Sequence, residues 1–181
     1  LSIRRQRQMC IRDRRMSNHI FTVYGEVPEL VEKKTKEIVN DYLGQEIDDF
    51  NYVKYNLYES DLTPIIEETL TMPFFSDKKA IVVKNSYVFT GEKFSKDLNH
   101  NSDELIKFLE KYDGENLIIF ELYQSKLDER KKLTKTLKKN AQLKKIEQMS
   151  EKEIKHWIKN TLNNNYKDIK QDALELSLIH I

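Results

Sequence analysis

The sequence predicts a three-layer α/β domain built on a mainly parallel five-stranded sheet, and three observations carry that prediction. Five short β-rich runs alternate with four amphipathic helical stretches between residues 19 and 146, the order from which βα units build a sheet covered on both faces. One run, Leu117-Ile118-Ile119-Phe120, is continuously apolar, as a central strand buried on both faces requires. The first unit reads strand, tight turn, helix, with Gly25 and Pro28 as its punctuation.

Each element follows from local chemistry. His19-Ile20-Phe21-Thr22-Val23-Tyr24 is a β-rich run that stops at Gly25. Val27-Pro28 opens a helix whose Leu30, Val31, Ile38, Val39, Tyr42 and Leu43 follow a rough 3.6 period, and Gly44 ends it. Residues 50–58 alternate apolar and polar side chains as a second strand, and Ser60 is the expected cap of a short helix holding Pro64, Ile65, Ile66 and Leu70. A third strand covers 79–84. Residues 86–101 read as a polar loop with an apolar patch at Tyr87-Val88-Phe89, and Ser102 starts a helix through Leu105, Ile106, Phe108 and Leu109 towards Gly114. The fourth strand follows at 117–120. A Lys-rich helix is expected over 127–140, with Leu133 and Leu137 inward, and a fifth strand over 141–146. Ser150-Glu151-Lys152-Glu153 then forms a capping box for a helix with Ile154, Trp157, Ile158 and Leu162, the start of a separate helical domain.

The two ends of the chain distort its bulk numbers. Residues 5–14, RQRQMCIRDR, and 176–181, LSLIHI, resemble translated sequencing-adapter read-through. The expected organisation is therefore a non-native leader at 1–15, an α/β domain at 16–148, the truncated start of a helical domain at 149–175 and a non-native tail at 176–181. The whole chain has 31 basic and 30 acidic residues; without the leader's six Arg and one Asp the remainder carries 25 against 29. A basic pI would invite a nucleic-acid reading, but that bulk signal comes from the leader and not from the mildly acidic remainder. The sole cysteine, Cys10, goes with the leader, which leaves no basis for disulfides, thiolate chemistry or Cys-based zinc sites. With no transmembrane run and a third of its residues charged, the chain is expected to be cytoplasmic and to make no membrane contact.

Motifs for catalysis are missing. The turn at Gly25, Glu26, Val27 and Pro28 stands where an α/β nucleotide-binding domain carries its phosphate loop. Run on through Glu29 to Leu30, it has one Gly, a Pro that removes a donor and two carboxylates, Glu26 and Glu29, that repel an anion, so it is read as a degenerate, structural turn. His19, His100 and His156 are scattered, His180 lies in the tail, and none has metal-ligand spacing. The pairs Asp48-Asp49, Glu67-Glu68 and Asp128-Glu129 point in different directions and are read as solvated. No metal, cofactor or nucleophile is indicated.

Two features remain. Lys131, Lys135, Lys138 and Lys139 share a helix face at i, i+4, i+7 and i+8, either a solvated face or a contact for a phosphate backbone or acidic partner. Met72-Pro73-Phe74-Phe75-Ser76-Asp77-Lys78-Lys79 puts two phenylalanines where polar turn residues belong, just before a buried-looking strand. Adjacent helical residues diverge by about 100°. Either both rings belong to the core, or at least one faces solvent or a partner.

The Gly-Glu-x-Pro turn after the first strand, Met72 to Lys79 before the third, and Lys126-Leu127-Asp128-Glu129-Arg130-Lys131-Lys132 after the fourth together resemble the delta-subunit family of bacterial DNA polymerase III, the clamp-opening member of the sliding-clamp loader. The resemblance covers about residues 17–175. It implies an AAA+-like domain followed by the start of a helical lid domain, with no working phosphate loop, ATP being hydrolysed by neighbouring motor subunits. It implies further that Phe74 and Phe75, flanked by Met72 and Pro73, insert into the hydrophobic cleft of the ring-shaped clamp and help to open it or hold it open. The implied partners are the clamp (beta subunit) and the other loader subunits, with primed DNA as a further candidate. No intrinsic catalysis is expected of such a subunit of the DNA-directed DNA polymerase (nucleotidyltransferase) holoenzyme. Two other classes stand beside this one: an ATP-hydrolysing P-loop motor subunit of the loader, and a nucleic-acid-binding α/β domain using the lysine face.

Overall fold

A computed structural model describes residues 19–44, 47–73, 78–92, 100–147 and His156. The chain divides into a unit ending at Ile146 and a second beginning at Glu147. Of the second, only Glu147 and His156 are described, so the helical segment expected from Ser150 lies outside the described residues, as do the stretches expected to be a leader and a tail.

The first unit alternates strand and helix: β1 (Ile20–Tyr24), α1 (Pro28–Leu43), β2 (Tyr52–Asn56), α2 (Leu62–Leu70), β3 (Ala80–Lys84), a 3₁₀ turn at Tyr87–Phe89, α3 (Ser102–Lys111), β4 (Leu117–Leu122), α4 (Lys132–Asn140) and β5 (Gln142–Lys145). The strands form one sheet in the order β2-β3-β4-β1-β5, and every pair in it is parallel. The register sets Ile20 opposite Ile118 and Ile81 opposite Ile118 across the centre.

Side chains alternate between the two faces of a strand, so each central strand feeds two cores. Val23, Val82, Leu117 and Ile119 pack with Val31, Val39 and Leu43 of α1. Ile20, Ile81, Val83, Ile118 and Phe120 pack on the other face with α2, α3 and α4. The three-layer α/β architecture is thus realised, with α1, among the described residues, the one helix on its side.

Several boundaries differ from the expectation, each for a visible reason. The apolar patch at Tyr87–Phe89 is core: all three residues are buried, and Phe89 meets Phe120 edge to face at 5.2 Å between centroids. Asp61, rather than Ser60, is the N-cap residue of α2, because the Ser60 backbone turns back to donate to Asn56 O. Asn101 caps α3 by accepting from the Asp103 and Glu104 amides, and that helix stops at Lys111. Strand β2 starts at Tyr52, after Asp48 has gathered the amides of Phe50 and Asn51 on its Oδ1. Helix α4 begins only at Lys132, since residues 128–130 form a turn in which Asp128 Oδ1 accepts from the Arg130 amide. Strand β4 runs on to Leu122 through the buried Glu121.

Candidate functional site

The two ends of a parallel sheet are chemically distinct, and α/β domains place ligands at the carboxyl ends of their strands. Here that end is filled by the protein's own groups. The Gly25 amide donates to Leu122 O, and the Ile146 amide donates to Tyr24 O, so the turn after β1 is stitched to both neighbouring strands. Gly25 is required by close approach: a Cβ there would lie 2.8 Å from Ile146 Cβ and 2.9 Å from Ile146 O. Pro28 sits in the first turn of α1 without an amide, and the Leu30 and Val31 amides are turned onto Val27 O. Glu26 and Pro28 are exposed.

Above this turn lies a polar network. Lys84 at the end of β3 donates to Glu32 of α1 at 2.6 Å, and that hydrogen bond holds the Glu32 carboxyl below the usual range. The Tyr123 hydroxyl donates to Glu121 Oε2 at 2.9 Å and lies 3.5 Å from Glu32 Oε1. Burial, helped by the Glu121 and Glu32 carboxylates, pushes the Tyr123 phenol well up. The same causes push the Tyr52 phenol up to about 12.

The amino end of the sheet is different. Ile47, Phe50, Leu70 and Met72, exposed by 38%, 62%, 62% and 85%, are the large hydrophobic side chains left exposed among the described residues. All four come from the turn before β2 or the end of α2, close to the segment before β3. A groove of about 390 Å³ runs among Phe50, Val53, Glu68, Met72, Pro73 and Lys79. Apolar surface gathered at one place on a chain is characteristic of contact sites.

The end of α2 is built to present this surface. Its Leu62, Ile65, Ile66 and Thr69 are buried, while Leu70 has already turned outward. Pro73 disfavours helical backbone at Met72, and the helix closes at Thr71, whose amide and hydroxyl both return to Glu67 O. Asn116, just ahead of β4, then donates through Nδ2 to Thr69 O and Thr71 O, each at 2.9 Å. Its own carbonyl accepts from the buried Tyr112 hydroxyl at 2.6 Å. On the other side, Lys79 is buried against Glu68, and Lys78 donates to Tyr42 O while lying over the Tyr42 ring. The end of α2 and the start of β3 are thereby both held to the body of the domain. Phe74 and Phe75, with Ser76 and Asp77, lie outside the described residues. Sequence reasoning missed Asn116, Ile47 and Phe50 here: a single Asn before a strand has no local signature, and Phe50 fitted the alternation of a strand.

The lysine face changes membership. Lys131 is the N-cap residue of α4 and half-buried, its Nζ donating to Val88 O at 3.1 Å. Lys138 pairs with Glu129, whereas Lys135 and Lys139 are exposed. The acidic pairs are also employed: Asp48 holds the turn before β2, Glu68 pairs with Lys79, and Asp128 pairs with Arg130. Among the described residues no cluster of His, Cys, Asp and Glu could hold a metal ion, and no helix is long and apolar enough to cross a membrane.

With this geometry in place, comparison with known proteins gives a consistent result. A sequence model of the family described as "DNA polymerase III, delta subunit" matches residues 21–147. The DNA polymerase III subunit delta of Bacillus subtilis (strain 168) is 31% identical over 156 residues, which is 86% of this chain and 45% of that protein. The solved structure of the Bacillus subtilis DNA clamp loader delta protein superposes with a TM-score of 0.66 at 28% identity, covering 87% of this chain and 46% of the other. The chain thus spans about half the length of these relatives.

Proposed function

The chain belongs to the DNA polymerase III delta-subunit family, and we propose that this part of it docks on the sliding clamp through the end of α2 and helps hold the ring open for loading onto primed DNA. The observation that carries the reading is the exposed apolar surface of Phe50, Leu70 and Met72 beside the Pro73-Phe74-Phe75 segment. Two phenylalanine side chains buried in a partner's cleft supply about 1.5–3 kcal/mol each, the scale of interface hot spots.

Rigidity behind the contact serves the mechanical role. Asn116 fixes the last carbonyls of α2 to the start of β4, and the buried Lys79–Glu68 pair ties the start of β3 to the same helix. Force applied at the end of α2, at Thr71 and Met72, is therefore passed into the sheet. The filled carboxyl end supports a role without nucleotide chemistry of its own, with other loader subunits supplying that step.

The test is binding to the matching clamp by the chain and by the double variant Phe74→Ala, Phe75→Ala. A loss of 2 kcal/mol or more, roughly thirtyfold, with the far-ultraviolet circular dichroism unchanged, is the expected result. Equal binding by the double variant would overturn the reading.

A further inference from the structure

Two phenylalanine side chains do not make a lasting interface by themselves. A stable protein contact covers about 800 Å² of each partner, and one aromatic side chain supplies about 150–250 Å². The clamp contact read at Phe74 and Phe75 therefore needs at least about 300 Å² more from its surroundings. Phe50 is 62% exposed and comes from a different element, the turn before β2, yet it lines one groove of about 390 Å³ with Met72 and Pro73.

The backbone under Phe50 is fixed although its ring is presented outward. Asp48 Oδ1 accepts from the Phe50 and Asn51 amides, each at 2.8 Å, and Asn51 Oδ1 accepts from the Asp48 amide at 3.0 Å. Asn51 is buried, and its carbonyl accepts from the Ala80 amide at 2.8 Å, which ties the turn to β3. A ring held this way loses little freedom on binding, which favours its use as an anchor. The polar side chains of the groove are unequally employed. Lys79 and Glu68 neutralise each other, whereas Asp49 is exposed and has no ion pair among the described residues.

We propose that this groove is the receiving half of the contact: an apolar side chain of the clamp enters it against Phe50 and Val53, and a Lys or Arg beside that side chain pairs with Asp49. Insertion then runs in both directions, Phe74 and Phe75 outward into the partner and one partner side chain inward. The proposal rests on the reading that the clamp is the partner and adds the chemistry it must present. A small polar ligand fits less well, because the Asp48, Asn51, Glu68 and Lys79 side chains are already engaged within the protein.

The experiment is surface plasmon resonance of the matching clamp against the chain, Phe50→Ala, Phe50→Tyr, Asp49→Asn and the double variant Phe74→Ala, Phe75→Ala. Phe50→Ala should weaken binding about tenfold, chiefly through faster dissociation, with its urea midpoint unchanged, and Phe50→Tyr should restore affinity to within about twofold. Asp49→Asn should slow association about threefold in low salt, a difference that closes in high salt. If the double variant loses binding while Phe50→Ala and Asp49→Asn bind as the native chain does, the groove proposal is overturned and docking through Phe74 and Phe75 stands. If instead the double variant binds normally and Phe50→Ala does not, the groove stands and the reading at Phe74 and Phe75 fails. Unchanged clamp affinity in Phe50→Ala with loss of binding to another loader subunit also overturns the proposal and assigns the groove to that subunit.

Discussion

The carboxyl and amino ends of the sheet have exchanged the roles they hold in most α/β domains. At the carboxyl end, where a ligand would ordinarily sit, Gly25 is pressed against Ile146, and Glu32, Lys84, Glu121 and Tyr123 satisfy one another. At the amino end, large apolar side chains are left exposed on anchored backbone. A ligand site needs unfilled space and uncommitted polar groups, and a protein-docking site needs apolar surface on a rigid base. By those criteria the first end is structural and the second is available for binding.

The contrast makes its largest prediction at Gly25. A methyl group there would meet Ile146 Cβ and, less yieldingly, Ile146 O. Gly25→Ala should cost about 2–3 kcal/mol of stability in urea unfolding, while the folded variant keeps its affinity for the clamp. A neutral substitution would mean that the carboxyl end has slack, and the comparison between a filled and an open end would fail.

Next in size is Asn116. Its amide satisfies two carbonyls at the end of α2, and leaving them unpaired costs about 2 kcal/mol. Asn116→Ala should therefore lower stability and also weaken clamp binding about threefold, because the exit from the helix loosens. A stability loss with clamp affinity unchanged would show that the support is structural only.

Sequence patterns exposed the scaffold better than the site. The apolar run of β4 and the period of α1, closed by Gly44 at φ 60°, are local signals, and the structure follows them. Tyr87–Phe89 was hidden because its burial comes from Phe120 and other residues distant in sequence, which no local period reports. Glu121 was hidden because a charged residue argues against continuing a buried strand, and its acceptance depends on Tyr123. The lysine face was legible as a charge run, yet its members were misassigned: 3.6-residue spacing was applied from Lys131, which precedes the helix and turns to Val88 O. The prominence of Met72-Pro73-Phe74-Phe75 was legible from residue type alone. What gives Met72 and Pro73 a platform, the reach of Asn116 to the end of α2 and the groove they line with Phe50, depends on tertiary placement.

Met72 sharpens the contrast from the other side. It is the most exposed large hydrophobic residue described, so Met72→Ala should leave stability within about 0.5 kcal/mol. Clamp affinity should fall about fivefold, near 1 kcal/mol, measured by surface plasmon resonance. An unchanged affinity would confine the docking contact to the residues that follow.

The smallest effect belongs to the Glu32–Lys84 pair, and pH reports it. Both side chains are about a third exposed, so solvent screening limits their pairing to under about 1 kcal/mol. Lys84 lowers the folded-state pKa of Glu32 below its ordinary 4.5. The unfolded chain then binds the Glu32 proton more readily than the folded one, so the pair's contribution is present above about 4.5 and is lost as pH falls through the lowered value. Lys84→Met removes the pairing. The stability difference between the native chain and this variant should stay flat from pH 7 to about 5, then shrink in more acidic solution as Glu32 protonates. A difference that persists undiminished to pH 3 would mean that Lys84 acts at the carboxyl end through packing of its stem, with no electrostatic share in closing it.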